Sequence, residues 1–299
     1  MSCDLDCQGR PDAERRVNFL LGIGCQKGGT SWLHRYLSSS PEVNLGFCKE
    51  YHIFDALYID ECRRFYEELV SRVKGASRLK RGTPAHQNDL LLYSFCNDPS
   101  QYFDYFRSLA CSDTETKVVG DITPSYAGLP QEAFLLIRKS LLEQGLQPRV
   151  VFFMRDPFER CWSAVRMGRR SMRARGQPVR VPEEHQLLKY IRTEEARIRT
   201  RYDITIRNIR NFFPEEEIFV GFYERLFTQE TVVHLCQFLD IAFVEPDFSK
   251  KVNQSEKTEA ISESSIRKVA LFFRDLYEWA FEHYGEAFIR KIWPGARFI

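Results

Sequence analysis

Val17-Asn18-Phe19-Leu20-Leu21-Gly22-Ile23 runs directly into Gly24-Cys25-Gln26-Lys27-Gly28-Gly29-Thr30-Ser31-Trp32. The first part is a short apolar run ended by glycine, the form of a strand buried on both faces of a parallel sheet. The glycines that follow permit a tight turn that brings backbone N–H groups close to an anion. Thr30 opens a helix reaching about Ser39, with Pro41 just beyond it. The N-terminus of that helix aims at the same spot and adds about half a positive charge. Lys27 supplies a mobile full charge, and Thr30 and Ser31 supply hydroxyl donors. Strand, turn and helix together make an oxyanion cradle. It is not a Walker A loop, which needs Lys directly before Ser/Thr and after Gly-x-x-x-x-Gly. Here Lys27 precedes Gly28-Gly29, and nothing in the loop requires a metal.

Further strands are expected at Lys117–Ile122, Arg149–Met154 and Ile218–Gly221, with helices between them. Cys62–Val73 and Tyr102–Cys111 read as helices, and Gly75–Asn88 as a polar, basic loop. Pro130–Gln144 reads as a helix with Phe134, Leu135, Ile137, Leu141 and Leu142 on its apolar side. Pro157 suits the first turn of the next helix, and Gly168–Pro182 reads as a loop crowded with arginine. A long helix from about Glu184 to Phe212, a helix at Thr231–Leu239 and a final helix over 263–283 complete the pattern. Strands alternating with helices imply an α/β fold: a three-layer α/β/α arrangement around a central parallel sheet. Ligands in such folds bind beyond the carboxyl ends of the strands. The chemistry-bearing segments lie there, after Ile23, Ile122 and Met154.

The chain has 299 residues, of which 43% are hydrophobic, 28% charged and 24 are Phe, ample material for a packed core. A net charge of only +2 does not mark a nucleic-acid binder, and none is expected as a partner. No apolar run is long enough for a transmembrane helix, and the polar start of the chain lacks the pattern of a secretory signal. Nine cysteines, an odd number without a regular framework, read as free thiols in a reducing cytosol. A cytoplasmic location is therefore expected. Cys3 and Cys7 lack the further ligands that a zinc site needs. Residues 1–16 read as a flexible N-terminal tail and 17–299 as one domain. The oligomeric state is not readable.

The second basic anchor is Phe153-Met154-Arg155-Asp156-Pro157-Phe158-Glu159-Arg160-Cys161-Trp162-Ser163. Arg155 sits at a strand end, where its fork can grip phosphate in a bidentate way, and Ser163 follows two helical turns on. Lys27-Gly28-Gly29-Thr30-Ser31-Trp32 after a strand, then Arg155-Asp156-Pro157 with Ser163 eight residues after the arginine, resembles the PAPS-dependent sulfotransferases, including their bacterial and Golgi glycan-type members. The resemblance covers about residues 17–290, with 55–115 matching least. It implies a P-loop-NTPase-like sulfotransferase fold that uses PAPS (3′-phosphoadenylyl sulfate) as co-substrate, releases PAP and requires no metal. Gln26 to Trp32 would hold the 5′-phosphosulfate. Lys27 would stabilise charge on the leaving nucleotide, and Trp32 would stack near the adenine. Arg155 and Ser163 would hold the 3′-phosphate. Tyr223, in Tyr223-Glu224-Arg225-Leu226, and Lys250, Lys251 and Asn253, in a loop closing over the nucleotide, would complete the donor site.

Cys48-Lys49-Glu50-Tyr51-His52-Ile53-Phe54 resembles the segment that carries the proposed base of the glycan enzymes. That implies Glu50 as base, with His52 as its orienter or as an alternative base. Asp121 is a further carboxylate candidate, and Asp121, Ser125 and Tyr126 are expected on the acceptor side. Ile122 stands where the glycan enzymes tend to have Lys. Arg166, Arg169, Arg170, Arg173, Arg175 and Arg180 form a basic stretch that reads as a solvated loop, a steering surface for an acidic acceptor or a lid. The implied reaction is sulfuryl transfer to a hydroxyl or amine of a small-molecule, lipid or carbohydrate acceptor. The alternatives are a P-loop kinase or NTPase of related fold, or a non-catalytic nucleotide-binding relative.

Overall fold

A computed structural model of the chain describes residues 16–75, 82–249 and 259–299. Five strands make one all-parallel sheet: β1 (Val17–Gly24), β2 (Val43–Asn44), β3 (Val118–Ile122), β4 (Leu146–Met154) and β5 (Ile218–Phe222). Their spatial order is β2-β3-β1-β4-β5. Side chains alternate across each strand, and both faces are buried. Phe19, Leu21, Ile23, Val119, Val150, Phe152 and Met154 belong to one core. Leu20, Val118, Ile122, Val151 and Phe153 belong to the other. That is why the strands read as mainly apolar runs rather than as alternating ones. The second face is covered by the Thr30–Leu37 and Gln229–Leu239 helices. Most of the remaining helices pack on the first face, which gives the expected three layers.

The chain leaves β1 toward β2 and β3 on one side, then crosses to β4 and β5 on the other. The reversal of strand order therefore falls between β1 and β4, where a crevice opens at the strand ends. Backbone pairing continues past the sheet there, since Cys25 N–H donates to Phe153 O at 2.7 Å.

Several helices depart from expectation. Pro84–Asn97 is helical, although its first residues read as loop. Its start carries ordinary signals: Pro84 in the first turn, and Thr83 Oγ1 accepting from His86 N–H at 3.3 Å. The expected helix over 184–212 is three shorter ones, Glu183–Tyr190, Glu194–Ile198 and Tyr202–Arg210. The final helix breaks at Phe273 into Glu263–Phe272 and Arg274–Tyr284. In the Gln131–Glu143 helix, Phe134, Ile137 and Leu141 are buried as expected, but Leu135 and Leu142 face outward at 51% and 41% exposure.

No helix among the described residues is long and apolar enough to cross a membrane. Of the described cysteines, six are free thiols. Cys111 is disulfide-bonded, contrary to the expectation of free thiols throughout. Disulfides persist in oxidising compartments, so the cysteines do not argue for the cytosol.

Candidate active site

The turn after β1 is shaped by close packing. A Cβ on Gly28 would lie 2.9 Å from Cys25 O, Cys25 Sγ and Phe153 O. Gly29 has φ +89° and borders Leu226, so the space beside the loop admits only glycine at both positions. Gly29 is also the N-cap of the Thr30–Leu37 helix, and no side chain caps it. The helix thus presents its N–H groups at the mouth of the turn. Thr30 is buried there, and Gln26 Oε1 is buried without a hydrogen-bond partner among the described residues.

Lys27 faces a ring of like charge. Burial lowers its pKa to about 8, helped by Arg170, Arg155, Arg166 and Lys49. Its Nζ rests 3.8 Å from Met167 Sδ. Arg155, at the end of β4, donates from Nη1 to Lys27 O at 2.8 Å and lies 3.2 Å from Glu159. Its guanidinium stacks 4.2 Å over the Tyr223 ring. Arg155 Nε is buried and has no partner among the described residues. Ser163 is buried on the same helix, Pro157–Ala174. The loop, Arg155 and Tyr223 are therefore brought together as expected.

Asp156 does something else. Its carboxylate accepts from Glu159 N–H at 3.0 Å, Gly295 N–H at 2.7 Å and Tyr277 Oη at 3.3 Å. It caps the helix and ties the C-terminal turn to the strand end; burial pushes its pKa up to about 6. Trp32 is 6% exposed and stacks with Tyr36 at 5.4 Å and Phe248 at 5.7 Å between centroids. Lys250, Lys251 and Asn253 lie outside the described residues.

Glu50 lies beside a histidine held from both ends. His52 Nδ1 donates to Asp55 Oδ2 at 2.7 Å, and Nε2 lies 3.3 Å from Glu50 Oε2. The ring also stacks on Phe65 at 3.8 Å. Burial works against the imidazolium, yet the bonds to Asp55 and Glu50 push its pKa up to about 9. Burial also works against the Glu50 carboxylate, but the bond from His52 and the Lys49 ammonium hold it down at about 2. His52 at neutral pH is thus a cation between two carboxylates. Asp55 is fully buried, and Ser125 Oγ donates to the same Oδ2. Sequence reasoning missed Asp55. Its signal is a lone carboxylate inside the apolar run Ile53-Phe54-Asp55-Ala56.

The residues expected on the acceptor side are buried and hydrogen-bonded within the protein. Asp121 is 1% exposed and accepts from Thr123 Oγ1 at 2.7 Å and Tyr102 Oη at 3.1 Å. Burial pushes its pKa up to about 6. Thr123 Oγ1 in turn accepts from Tyr51 N–H at 2.9 Å. Tyr126 is fully buried, its Oη accepting from Ile53 N–H at 3.2 Å. Asp121, Ser125 and Tyr126 thus form a layer behind the Glu50–Asp55 segment and fix its backbone. Asp121 and Tyr126 are closed to solvent.

The arginine stretch also divides. The helix continues through Gly168 to Ala174, so the first half is not loop. Arg169 is 5% exposed, paired with Glu183 and Glu259 and bonded to Val181 O at 2.7 Å. Arg166 is 6% exposed and stacks 4.4 Å over Trp162. Arg170, Arg173, Arg175 and Arg180 are exposed.

No family model and no curated protein sequence matches this chain. Its structure is similar to that of a sulfotransferase from Alicyclobacillus acidocaldarius, at 17% identity and a TM-score of 0.55, over 94% of this chain and 99% of that one. The sulfotransferase domain of the Synechococcus PCC 7002 olefin synthase aligns over 88% and 96% of the two chains, at 12% identity and a TM-score of 0.44. A sulfotransferase from Mycobacterium avium aligns over 89% and 77%, at 12% identity and a TM-score of 0.46. At the identity of the Alicyclobacillus protein the likeness is one of fold: this chain has the α/β sulfotransferase fold.

Proposed function

We propose that the chain transfers a sulfuryl group from PAPS to a hydroxyl or amine of a small-molecule, lipid or carbohydrate acceptor. One observation carries this reading. Two seats for anions lie at the ends of adjacent strands, one at a helix N-terminus that no side chain caps and one with a buried donor that has no protein acceptor among the described residues. One is the glycine turn with its uncapped helix N-terminus and Lys27. The other is Arg155, with an unpartnered buried Nε, at the end of β4 and just ahead of the helix that carries Ser163. Burying such groups unpaired is costly, and a nucleotide bearing phosphate at both ends would satisfy both seats. A triphosphate has only one such end.

PAPS, when bound, supplies a sulfur activated by its link to a phosphate oxygen. That link breaks as the acceptor oxygen or nitrogen bonds to sulfur. Lys27 and the loop amides hold the charge left on the phosphate oxygen. The acceptor's proton passes to a side-chain base. Of the three candidates, Asp121 is sealed off and His52 is already protonated at neutral pH, whereas Glu50 is ionised and its side chain is 31% exposed. Glu50 is the base in this reading. Asp55 and Ser125 hold His52, and His52 holds Glu50.

A thermal-shift comparison tests the donor. PAP without metal is expected to raise Tm more than ATP with Mg²⁺ does; the reverse order would overturn the reading in favour of a kinase or NTPase. With labelled PAPS and a panel of acceptors, Lys27→Ala is expected to abolish transfer. Glu50→Gln is expected to bind PAP normally and turn over at most about one part in a hundred as fast. Normal turnover in Glu50→Gln would remove Glu50 from the role of base.

A further inference from the structure

Arg166 is buried, basic and short of partners. Its Nε and Nη1 have no hydrogen-bond acceptor among the described residues, although the residue is only 6% exposed. Its guanidinium lies 4.4 Å over the Trp162 ring, a contact that does not use the Nε and Nη1 donors. A buried guanidinium in that state is costly unless a ligand completes it.

Its position indicates which ligand. Glu159, Ser163 and Arg166 fall at i, i+4 and i+7 on the Pro157–Ala174 helix, so they share one face. Glu159 pairs with Arg155 on that face. Burial lowers the pKa of Arg166, Glu159 and Glu183 raise it, Arg155 lowers it, and Tyr223, whose ring Arg155 covers, raises it. Arg166 therefore borders the second anion seat. Arg155 alone does not balance a phosphate dianion, because Glu159 already takes part of its charge.

We propose that Arg166 is a specificity-determining residue for the donor: with Arg155 and Ser163 it grips the 3′-phosphate, and so makes the chain select 3′-phosphorylated adenine nucleotides over those without that group. This rests on the donor reading above. It takes Arg166 out of any solvated loop or acceptor-steering surface.

PAP and 5′-AMP differ only in the 3′-phosphate, so titration calorimetry with both isolates the effect and needs no acceptor. Arg166→Gln is expected to raise the Kd for PAP about 10- to 100-fold and that for 5′-AMP less than about 2-fold. Arg166→Lys keeps the charge and loses the fork, and is expected to fall between wild type and Arg166→Gln. If Arg166→Gln does not fold, the ratio of PAP to 5′-AMP affinity in Arg166→Lys decides: a fall supports the proposal and an unchanged ratio overturns it. Equal weakening of both nucleotides, or no weakening of PAP, overturns it while the donor reading stands. A wild-type chain that binds 5′-AMP as tightly as PAP, or binds neither, overturns the donor reading and this proposal with it.

Discussion

Lys27 is more comfortable when neutral than a surface lysine would be. Its pKa falls from 10.5 to about 8 through burial and the neighbouring Arg170, Arg155, Arg166 and Lys49. The folded chain then binds fewer protons than the unfolded one between those values, so this group adds stability as pH rises through that window and costs stability at pH 7. Lys27→Met is expected to raise the Tm of the nucleotide-free chain at pH 7, on the order of 2 °C; a lower Tm would show that the ammonium is stabilised where it lies. A bound anion reverses the balance and restores the proton. PAP binding near pH 8.5 is therefore expected to take up a proton, seen as a buffer-dependent calorimetric enthalpy, and the uptake should vanish in Lys27→Met. His52 behaves in the opposite sense. Its folded pKa of about 9 lies above the unfolded 6.5, so its stabilisation is complete below pH 6.5 and is lost as pH rises through 9. Urea midpoints of wild type and His52→Gln are expected to converge between pH 6 and pH 9.5. A constant gap would mean that His52 is not charged in the folded chain.

At the level of elements, the Pro157–Ala174 helix organises the proposed donor seat. Asp156 accepts three hydrogen bonds with two oxygens, which an amide cannot do without turning N–H groups toward donors. Asp156→Asn is expected to cost about 2–3 kcal/mol in urea unfolding. A neutral result would show that the cap and the C-terminal tie are dispensable. Much of this element was legible beforehand: Arg155 at a strand end, Pro157 in the first turn, Ser163 two turns on. Its far end was not. Gly168 looked like a break, and a run of arginines looked solvated. The helix continues because Arg169 finds Glu183 and Glu259, residues remote in sequence that no local pattern connects to it. The helix at Pro84–Asn97 was legible in principle from Thr83 and Pro84, but its weak apolar stripe hid it. The sheet itself was easier. Four of its strands are apolar runs buried on both faces, and only the two-residue edge strand Val43–Asn44 left no signal.

Across the whole molecule, the last turn of the chain supports the site. Trp293 is fully buried among Tyr202, Phe222 and Tyr277, and its Nε1–H donates to Glu224 at 3.3 Å. Glu224 accepts in turn from Asp156 N–H at 3.0 Å, next to Arg155. Trp293→Ala is expected to cost about 3–5 kcal/mol in urea unfolding; a loss below about 1 kcal/mol would show that the C-terminal turn merely rests on the core. By itself the sequence determined the parallel α/β sheet and the glycine turn, and it named Lys27, Glu50, Arg155 and Ser163 as candidates. Those depend on local periodicity, on turn chemistry and on short motifs at strand ends. Only the tertiary structure decided which charges are paired inside the protein and which have atoms without a protein partner. It set Asp121 and Tyr126 behind the Glu50–Asp55 segment, bound His52 between Glu50 and Asp55, paired Arg169 with Glu183 and Glu259, and left Arg166 Nε and Nη1 without an acceptor among the described residues. Burial and long-range pairing settle those roles, and both depend on neighbours that only the folded chain brings together.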